Sequence, residues 1–284
     1  MADPSGAAAP PTEGERWARA ELERLLAARF SPRALAHFLI ASQRRAVDVR
    51  SRRPALGCQS MRWSAIGGAL WAGLALLHIG PFRARLRDGL AWWGLTAVML
   101  DWHLGMVETE DGHPRALGAA DALTLARVWL APAVLEAPTP ALCAAGFATD
   151  VLDGRAARAS QPTRAGRDLE GLADVCFAGA LLLGLRRRGA IGRVASMAEL
   201  ARIGAGFAYA LAVYFSRARP PAERLTHAAR LTTPVRAGGM LAAAAGRRRL
   251  GTALVAAGCA TSLGALGMAL GQRAGRGAAP DELS

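Results

Sequence analysis

Apolar residues first gather at helical spacing. From Gly14 to Phe30, Ala18, Leu22, Leu25 and Leu26 recur every three or four positions, which predicts an amphipathic helix. Ser31-Pro32 then opens a second helix, an N-cap followed by proline in the first turn. That helix carries Leu35, Phe38 and Leu39 and ends in a basic run through Arg44, Arg45, Arg50, Arg52 and Arg53. Two longer apolar stretches follow, Trp63–Gly80 and Gly89 to about Val107, each long enough to cross a bilayer. The second holds Trp92, Trp93 and Trp102 in the manner of an interfacial belt, with Asp101 and His103 near its end. Six further apolar helices are predicted at about 122–136, 140–157, 166–185, 195–215, 234–245 and 250–271. Pro132, Pro138, Pro140, Pro162, Pro220, Pro221 and Pro234 punctuate them or their connections. The fifth of these is short for a span. Gly204, Gly206, Gly238, Gly239, Gly258, Gly264 and Gly267 suit close packing of helices in lipid.

The expected fold is all-α: a polytopic membrane helix bundle with a six-helix core and two N-terminal transmembrane helices ahead of it. The expected organisation has five parts. Residues 1–62 form a cytosolic basic amphipathic region whose first 13 residues are disordered, 63–107 hold the two added transmembrane helices, and 108–120 are a connecting loop. The core occupies 121–272, and 273–284 are a flexible tail.

Charge sharpens this picture. All 35 basic residues of the 284 are arginine, and the net charge is +13. A basic balance calls for an anionic partner, nucleic acid or acidic lipid; hydrophobic stretches of membrane length point to lipid and away from nucleic acid. Residues 14–60 read either as helices lying on an anionic membrane surface or as a solvated basic arm. Cys58, Cys143, Cys176 and Cys259 are scattered without a C-x-x-C, so neither a disulfide framework nor a zinc site is indicated. The first fifteen residues hold no apolar signal region, so insertion would rest on the internal spans. With the N-terminus inside, eight spans put the 154–168 and 216–233 loops in the cytosol. The first 62 residues hold 11 arginines, but the opposite loops 81–88, 186–193 and 246–249 hold 10, so arginine counts do not decide the orientation.

The candidate chemistry lies between Asp150 and Asp174, DVLDGRAARASQPTRAGRDLEGLAD. Asp150 with Asp153, and Glu170 with Asp174, form two pairs spaced to share a helix face. Both pairs border apolar segments, where carboxylates are expensive and usually functional. Four converging carboxylates are hard oxygen ligands of the kind Mg²⁺ or Mn²⁺ prefers. The bland alternative is two structural pairs bridged to the neighbouring arginines.

This stretch resembles the signature of the CDP-alcohol phosphatidyltransferase family: Asp150-x2-Asp153-Gly154-x2-Ala157-Arg158-x7-Gly166-x3-Glu170-x3-Asp174. The family has Asp where Glu170 stands. Thr163, Leu169 and Ala173 also fall where members commonly show them. Upstream, DALTLARVWLAP (Asp121 to Pro132) resembles the first core helix of the family, with Asp121 in place of the usual Asn. The resemblance covers about residues 120–272. It implies a metal-dependent membrane enzyme that moves a phosphatidyl group from a CDP-linked lipid such as CDP-diacylglycerol to an alcohol or polyol-phosphate acceptor, releasing CMP, in phospholipid biosynthesis. It implies two Mg²⁺ or Mn²⁺ ions on Asp150, Asp153, Glu170 and Asp174, with Asp174 as general base. Gly154, Ala157, Arg158, Thr163 and Gly166 would meet the CDP moiety; the glycines admit backbone close to the nucleotide and Arg158 can fork onto a phosphate. A cytosolic active site in a bacterial-type cell membrane and a homodimer are further implications.

Four more arginines are candidates for a phosphate or the acceptor. Arg127 either meets a substrate phosphate or snorkels to the interface. Arg164 either assists from the connecting loop or is an ordinary loop residue. Arg230 and Arg236, flanking LTTP, either bind an acceptor phosphate or are topogenic charges. Glu199 and Arg202 read as a structural i,i+3 pair. Two other readings stand beside the active transferase: an impaired or specialised member of the same family, because of Asp121 and Glu170, and a cation-coupled membrane transporter, which accounts for intramembrane carboxylates but not for the spaced Gly154, Ala157, Arg158 and Gly166.

Overall fold

The computed structural model describes residues 12–109, 111–160, 163–215 and 223–277. Of the disorder expected over residues 1–13, 1–11 lie outside the described residues, whereas Thr12 caps the first helix and Glu13 begins it; of the tail expected over 273–284, 278–284 lie outside them and 273–277 continue the last helix. Eleven α-helices make up the described chain: α1 (Glu13–Ala27), α2 (Pro32–Arg52), α3 (Pro54–Leu76), α4 (Gly80–Ala84), α5 (Leu86–His103), α6 (Ala119–Glu136), α7 (Pro140–Ser160), α8 (Arg164–Arg187), α9 (Arg193–Phe215), α10 (Glu223–Ala244) and α11 (Arg248–Gly277). They fall into two compact units, residues 1–133 with 148–177 and residues 134–147 with 178–284.

In the first unit the added helices are joined to the core by tryptophan. Gly67 of α3 sits beneath the Trp93 ring of α5, and Gly89 of α5 sits beneath the Trp71 ring of α3; each glycine leaves room for an indole that a Cβ would overlap. Trp93 Nε1 donates to the Ser64 carbonyl at 2.6 Å, Trp129 Nε1 to the Gly67 carbonyl at 2.9 Å and Trp92 Nε1 to the Val128 carbonyl at 2.9 Å. The Trp71, Phe82 and Trp129 rings meet with centroids 4.9–5.3 Å apart, Trp71 edge-on to the other two. These indoles therefore fasten α3, α5 and α6 to one another, a packing role that Trp92 and Trp93 fill beside the interfacial one expected of them. Aromatic rings combine large apolar area with one donor, so they can do both in one contact. Asp101 ends α5 in an ion pair with Arg50 of α2. α2 leaves Leu35, Leu39, Ile40 and Val47 exposed.

In the second unit glycine brings α10 and α11 together. A Cβ on Gly251 would lie 2.6 Å from the Gly239 carbonyl, and one on Gly239 would lie 2.9 Å from the Val255 amide. Gly204, Gly206, Gly238, Gly264 and Gly267 have nothing within 4 Å, so only part of the expected small-residue set is used for packing among the described residues. Glu199 of α9 is fully buried and is held by Arg202 at 2.7 Å, Arg236 at 2.8 Å and the Cys259 thiol at 2.9 Å. α10 begins at Glu223 and runs through Pro234, eleven residues ahead of the start that the proline suggested. Proline removes one helical donor but does not always end a helix; at 22 residues α10 is about 33 Å long.

One described segment, Arg248–Met268 of α11, is long and apolar enough by length and composition alone to cross a membrane. Other long helices fall short for visible reasons. α6 carries Asp121, Arg127 and Glu136, α5 carries Arg87, Asp88 and Asp101, and α3 is lowered chiefly by Gln59 and Arg62.

Gly89→Ala should overlap the Trp71 ring and lower stability by about 1–3 kcal/mol. Gly94→Ala, on the same helix with nothing within 4 Å, should be near neutral. Thermal unfolding of both in detergent checks this; equal melting temperatures would contradict the interlock.

Candidate functional site

The site is assembled where α6, α7 and α8 come together within the first unit. Asp150 and Asp153 project from α7 and Glu170 and Asp174 from α8. Oxygens of Asp150, Asp153 and Glu170 lie within 4.8 Å of one another. Against Asp150, Asp153 and Asp174 lies Arg127 of α6, a residue only 1% exposed. Its Nη2 donates to Asp153 Oδ2 and its Nη1 to Asp174 Oδ1, with Asp150 Oδ1 3.3 Å from the same Nη1. Its Nε reaches Thr149 Oγ1 at 3.4 Å. Burying a guanidinium requires such partners, because a lone charge away from water is very costly. Asp153 is 2% exposed; Thr124 donates to its Oδ2 at 3.2 Å, while its Oδ1 is buried with no hydrogen-bond partner.

A cavity of about 590 Å³ opens beside this cluster. Asp153, Gly154, Ala157 and Arg158 of α7 line it, with Thr163, Gly166, Arg167 and Glu170 at the start of α8 and Asp121 and Thr124 at the start of α6. Two helix N-termini are locked to each other here. Thr163 is the N-cap of α8, accepting from the Gly166 amide at 2.9 Å, and its hydroxyl donates to Asp121 Oδ1 at 3.1 Å. Asp121 Oδ2 in turn accepts from the Gly118 amide at 2.7 Å, the reach-back of a capping box. A carboxylate at 121 thus gives an acceptor on each oxygen, which accounts for Asp where the resembling helix usually has Asn. A Cβ on Gly166 would stand 2.7 Å from Asp121 Oδ1 and 2.9 Å from Thr163 Oγ1. Gly166 is required by this crossing whatever occupies the cavity.

The other candidates are placed as follows. Arg158 is exposed, on the turn after Gly154. Arg164 is buried; it forms an ion pair with Glu15 of α1, its Nε donates to the Thr109 carbonyl at 3.3 Å and its amide to the Glu108 carbonyl at 3.0 Å. Arg236 is engaged by Glu199 in the second unit. Arg230 lies in α10, its side chain outside the described residues. Asp174 has half of its side chain exposed.

Three contributors were not singled out from sequence. Thr124 stands three residues from both Asp121 and Arg127, so helical periodicity could have grouped it with them. Arg115 and Arg167 line the cavity with no motif to announce them. The wall carrying Arg115 and Gly118 is braced from far upstream. Arg53 donates to the Val107 carbonyl at 3.0 Å and to the Arg115 carbonyl, while the Gln59 amide both donates to the Leu117 carbonyl at 2.9 Å and accepts from the Leu117 amide at 3.0 Å.

The described chain is almost wholly helical, and its acidic cluster offers hard oxygen ligands beside a cavity. The family model of the CDP-alcohol phosphatidyltransferases matches residues 117–264, just over half of the chain, and the protein belongs to that family. Its members are integral to the membrane, transfer substituted phosphate groups and depend on a divalent metal. No curated protein and no solved structure matches the chain. The donor set fits a divalent cation: the three clustered oxygens are hard ligands, and the partnerless Asp153 Oδ1 is a buried acceptor aimed at nothing else.

Asp121→Ala should strand the Gly118 amide and the Thr163 hydroxyl and cost about 1–3 kcal/mol, with Asp121→Asn costing less because one acceptor remains. Thermal unfolding of the two variants tests the ranking; a wild-type melting temperature in Asp121→Ala would remove the lock.

Proposed function

We propose that this protein transfers a phosphatidyl or similarly substituted phosphoryl group from a CDP-linked lipid, CDP-diacylglycerol for example, to an alcohol or polyol-phosphate acceptor in phospholipid biosynthesis. The observation that carries this reading is the approach of Asp150, Asp153 and Glu170 to within 4.8 Å of one another beside a cavity that Asp153 and Glu170 themselves line. Asp150, Asp153, Glu170 and Asp174 are the ligands of the reading, and Mg²⁺ or Mn²⁺ bound to them would neutralise the pyrophosphate and polarise the phosphorus under attack. Arg158 forks onto a phosphate from the exposed side of the cavity. Gly154 and Ala157 keep that wall of the cavity low, and Thr163 with Gly166 fixes the opposite one. Asp174 takes the proton of the acceptor hydroxyl on its half-exposed carboxylate. The acceptor oxygen bonds to the lipid-bearing phosphorus, the bond from that phosphorus to the bridging oxygen breaks, and CMP departs with the electron pair.

The eight long helices α3, α5 and α6 to α11 are the spans in this reading, with both termini and the cavity on the cytosolic side. The exposed Leu35, Leu39, Ile40 and Val47 on the arginine-rich α2 support its lying on the membrane surface.

Metal-dependent CMP release tests the chemistry. Asp150→Asn and Asp153→Asn should each lower turnover at least about 100-fold, and Glu170→Gln should weaken metal affinity about 10- to 100-fold. Near-normal turnover in both aspartate variants would refute the assignment; Glu170→Gln matching wild type at limiting metal would take Glu170 out of the ligand set. For the orientation, a cysteine placed at Ala159 in a background without the native cysteines should resist an impermeant thiol reagent added to intact cells. Ready labelling from outside would reverse the topology.

A further inference from the structure

The four carboxylates of the site are not the whole of its electrostatics. Arg127 comes from a third helix and touches three of them, and the contacts are divided between its nitrogens in a telling way. Nη2 goes to Asp153 alone. Nη1 is shared: it donates to Asp174 Oδ1 on α8 and lies 3.3 Å from Asp150 Oδ1 on α7. One positively charged group therefore stands between carboxylates of two helices, which is the position a bridging cation takes in a cluster of this composition. The guanidinium does not use up the site. Asp153 keeps Oδ1 buried and partnerless, Glu170 has no ion pair with Arg127 among the described residues, and four carboxylates against one guanidinium leave the cluster net negative.

We propose that Arg127 is a built-in counter-cation of the acidic cluster, whose Nη1 holds Asp150 and Asp174 together until a divalent cation displaces it. The inference rests on the metal-binding reading above, but it concerns how the cluster is kept intact when no metal is bound. Three considerations carry it. Asp150, Asp153 and Glu170, one half-buried, one buried and one exposed, bring oxygens within 4.8 Å of one another; carboxylates this close repel, and without a cation they would be protonated or pushed apart. Arg127 is too deeply buried to serve as a mobile substrate clamp at the cavity, and it is absent from the residues that line the cavity. Thr124 of α6 donates to Asp153 Oδ2 at 3.2 Å, so the guanidinium can swing away from Asp150 and Asp174 while Thr124 still holds Asp153. In this arrangement Arg127 stabilises the metal-free protein and weakens metal binding by the same contacts. A residue that merely oriented the ligands would do the opposite for the metal, since its loss would scatter them.

The two roles differ in sign, and metal binding reads the sign without any turnover. Mn²⁺ affinity is measured by titration calorimetry on the purified full-length protein in detergent, and melting temperature is measured with chelator and with saturating Mn²⁺. For Arg127→Gln, Mn²⁺ should bind about tenfold tighter or more, the scale of one charge–charge interaction at a few ångströms in a partly screened site. Its melting temperature should fall in chelator and return towards that of wild type in Mn²⁺. Arg127→Lys, which keeps a charge but lacks the fork, should lie between wild type and Arg127→Gln in both measurements. Weaker or unchanged Mn²⁺ affinity in Arg127→Gln overturns the proposal and leaves the metal site standing. If Arg127→Gln yields no folded protein, Arg127→Lys decides by the same sign. Failure of the wild-type protein to bind Mn²⁺ at millimolar concentration overturns the metal reading itself, and this inference with it.

Discussion

Burying charge among apolar helices constrains everything else in this molecule. Carboxylates in such surroundings persist only with a counter-charge or a ligand. In the first unit one guanidinium, that of Arg127, answers three carboxylates drawn from α7 and α8, so one side chain of α6 bridges both of the other helices. In the second unit the proportions are reversed. One carboxylate, Glu199, answers two guanidiniums and a thiol across α9, α10 and α11. Both clusters use arginine throughout, and the chain has no lysine. A planar fork can satisfy several acceptors at fixed angles, which a single ammonium cannot.

The acidic cluster was legible in the sequence because its logic is local. Asp150 and Asp153 share a helix turn, as do Glu170 and Asp174, and helical spacing alone puts each pair on one face. The all-helical character was legible for the same reason, through apolar periodicity over long stretches. What escaped was non-local. Nothing near Trp71 or Trp93 indicates that each will find a glycine on the opposing helix. Nothing near Glu15 signals that it will pair with Arg164, about 150 residues later. Pro234 misled through a rule that is only statistical: it marks a helix start more often than a helix interior, and here it lies inside α10.

The two departures from the family pattern have different physical standing. Asp121 is explained by its surroundings, since each oxygen meets a donor and the pair of contacts ties the starts of α6 and α8 together. Glu170 lies on the cavity and within reach of Asp150 and Asp153, so its longer arm still delivers an oxygen to the cluster. The extra methylene is accommodated at the exposed side of the site, where there is room for it.

The two hydrogen bonds between the Gln59 side chain and the Leu117 backbone have a practical meaning. Leu117 is the first residue that the family pattern covers, and its amide and carbonyl are satisfied by a residue 58 positions earlier. The border drawn by shared ancestry therefore runs through a hydrogen-bonded pair. A fragment trimmed to that border would expose an amide and a carbonyl and lose Arg115 and Ala116 from the cavity wall. For expression, crystallisation or transplantation into another scaffold, a piece that keeps this pair has to include Gln59 and therefore α3, and the helices that look like an appendage in one dimension are a brace for the cavity wall in three.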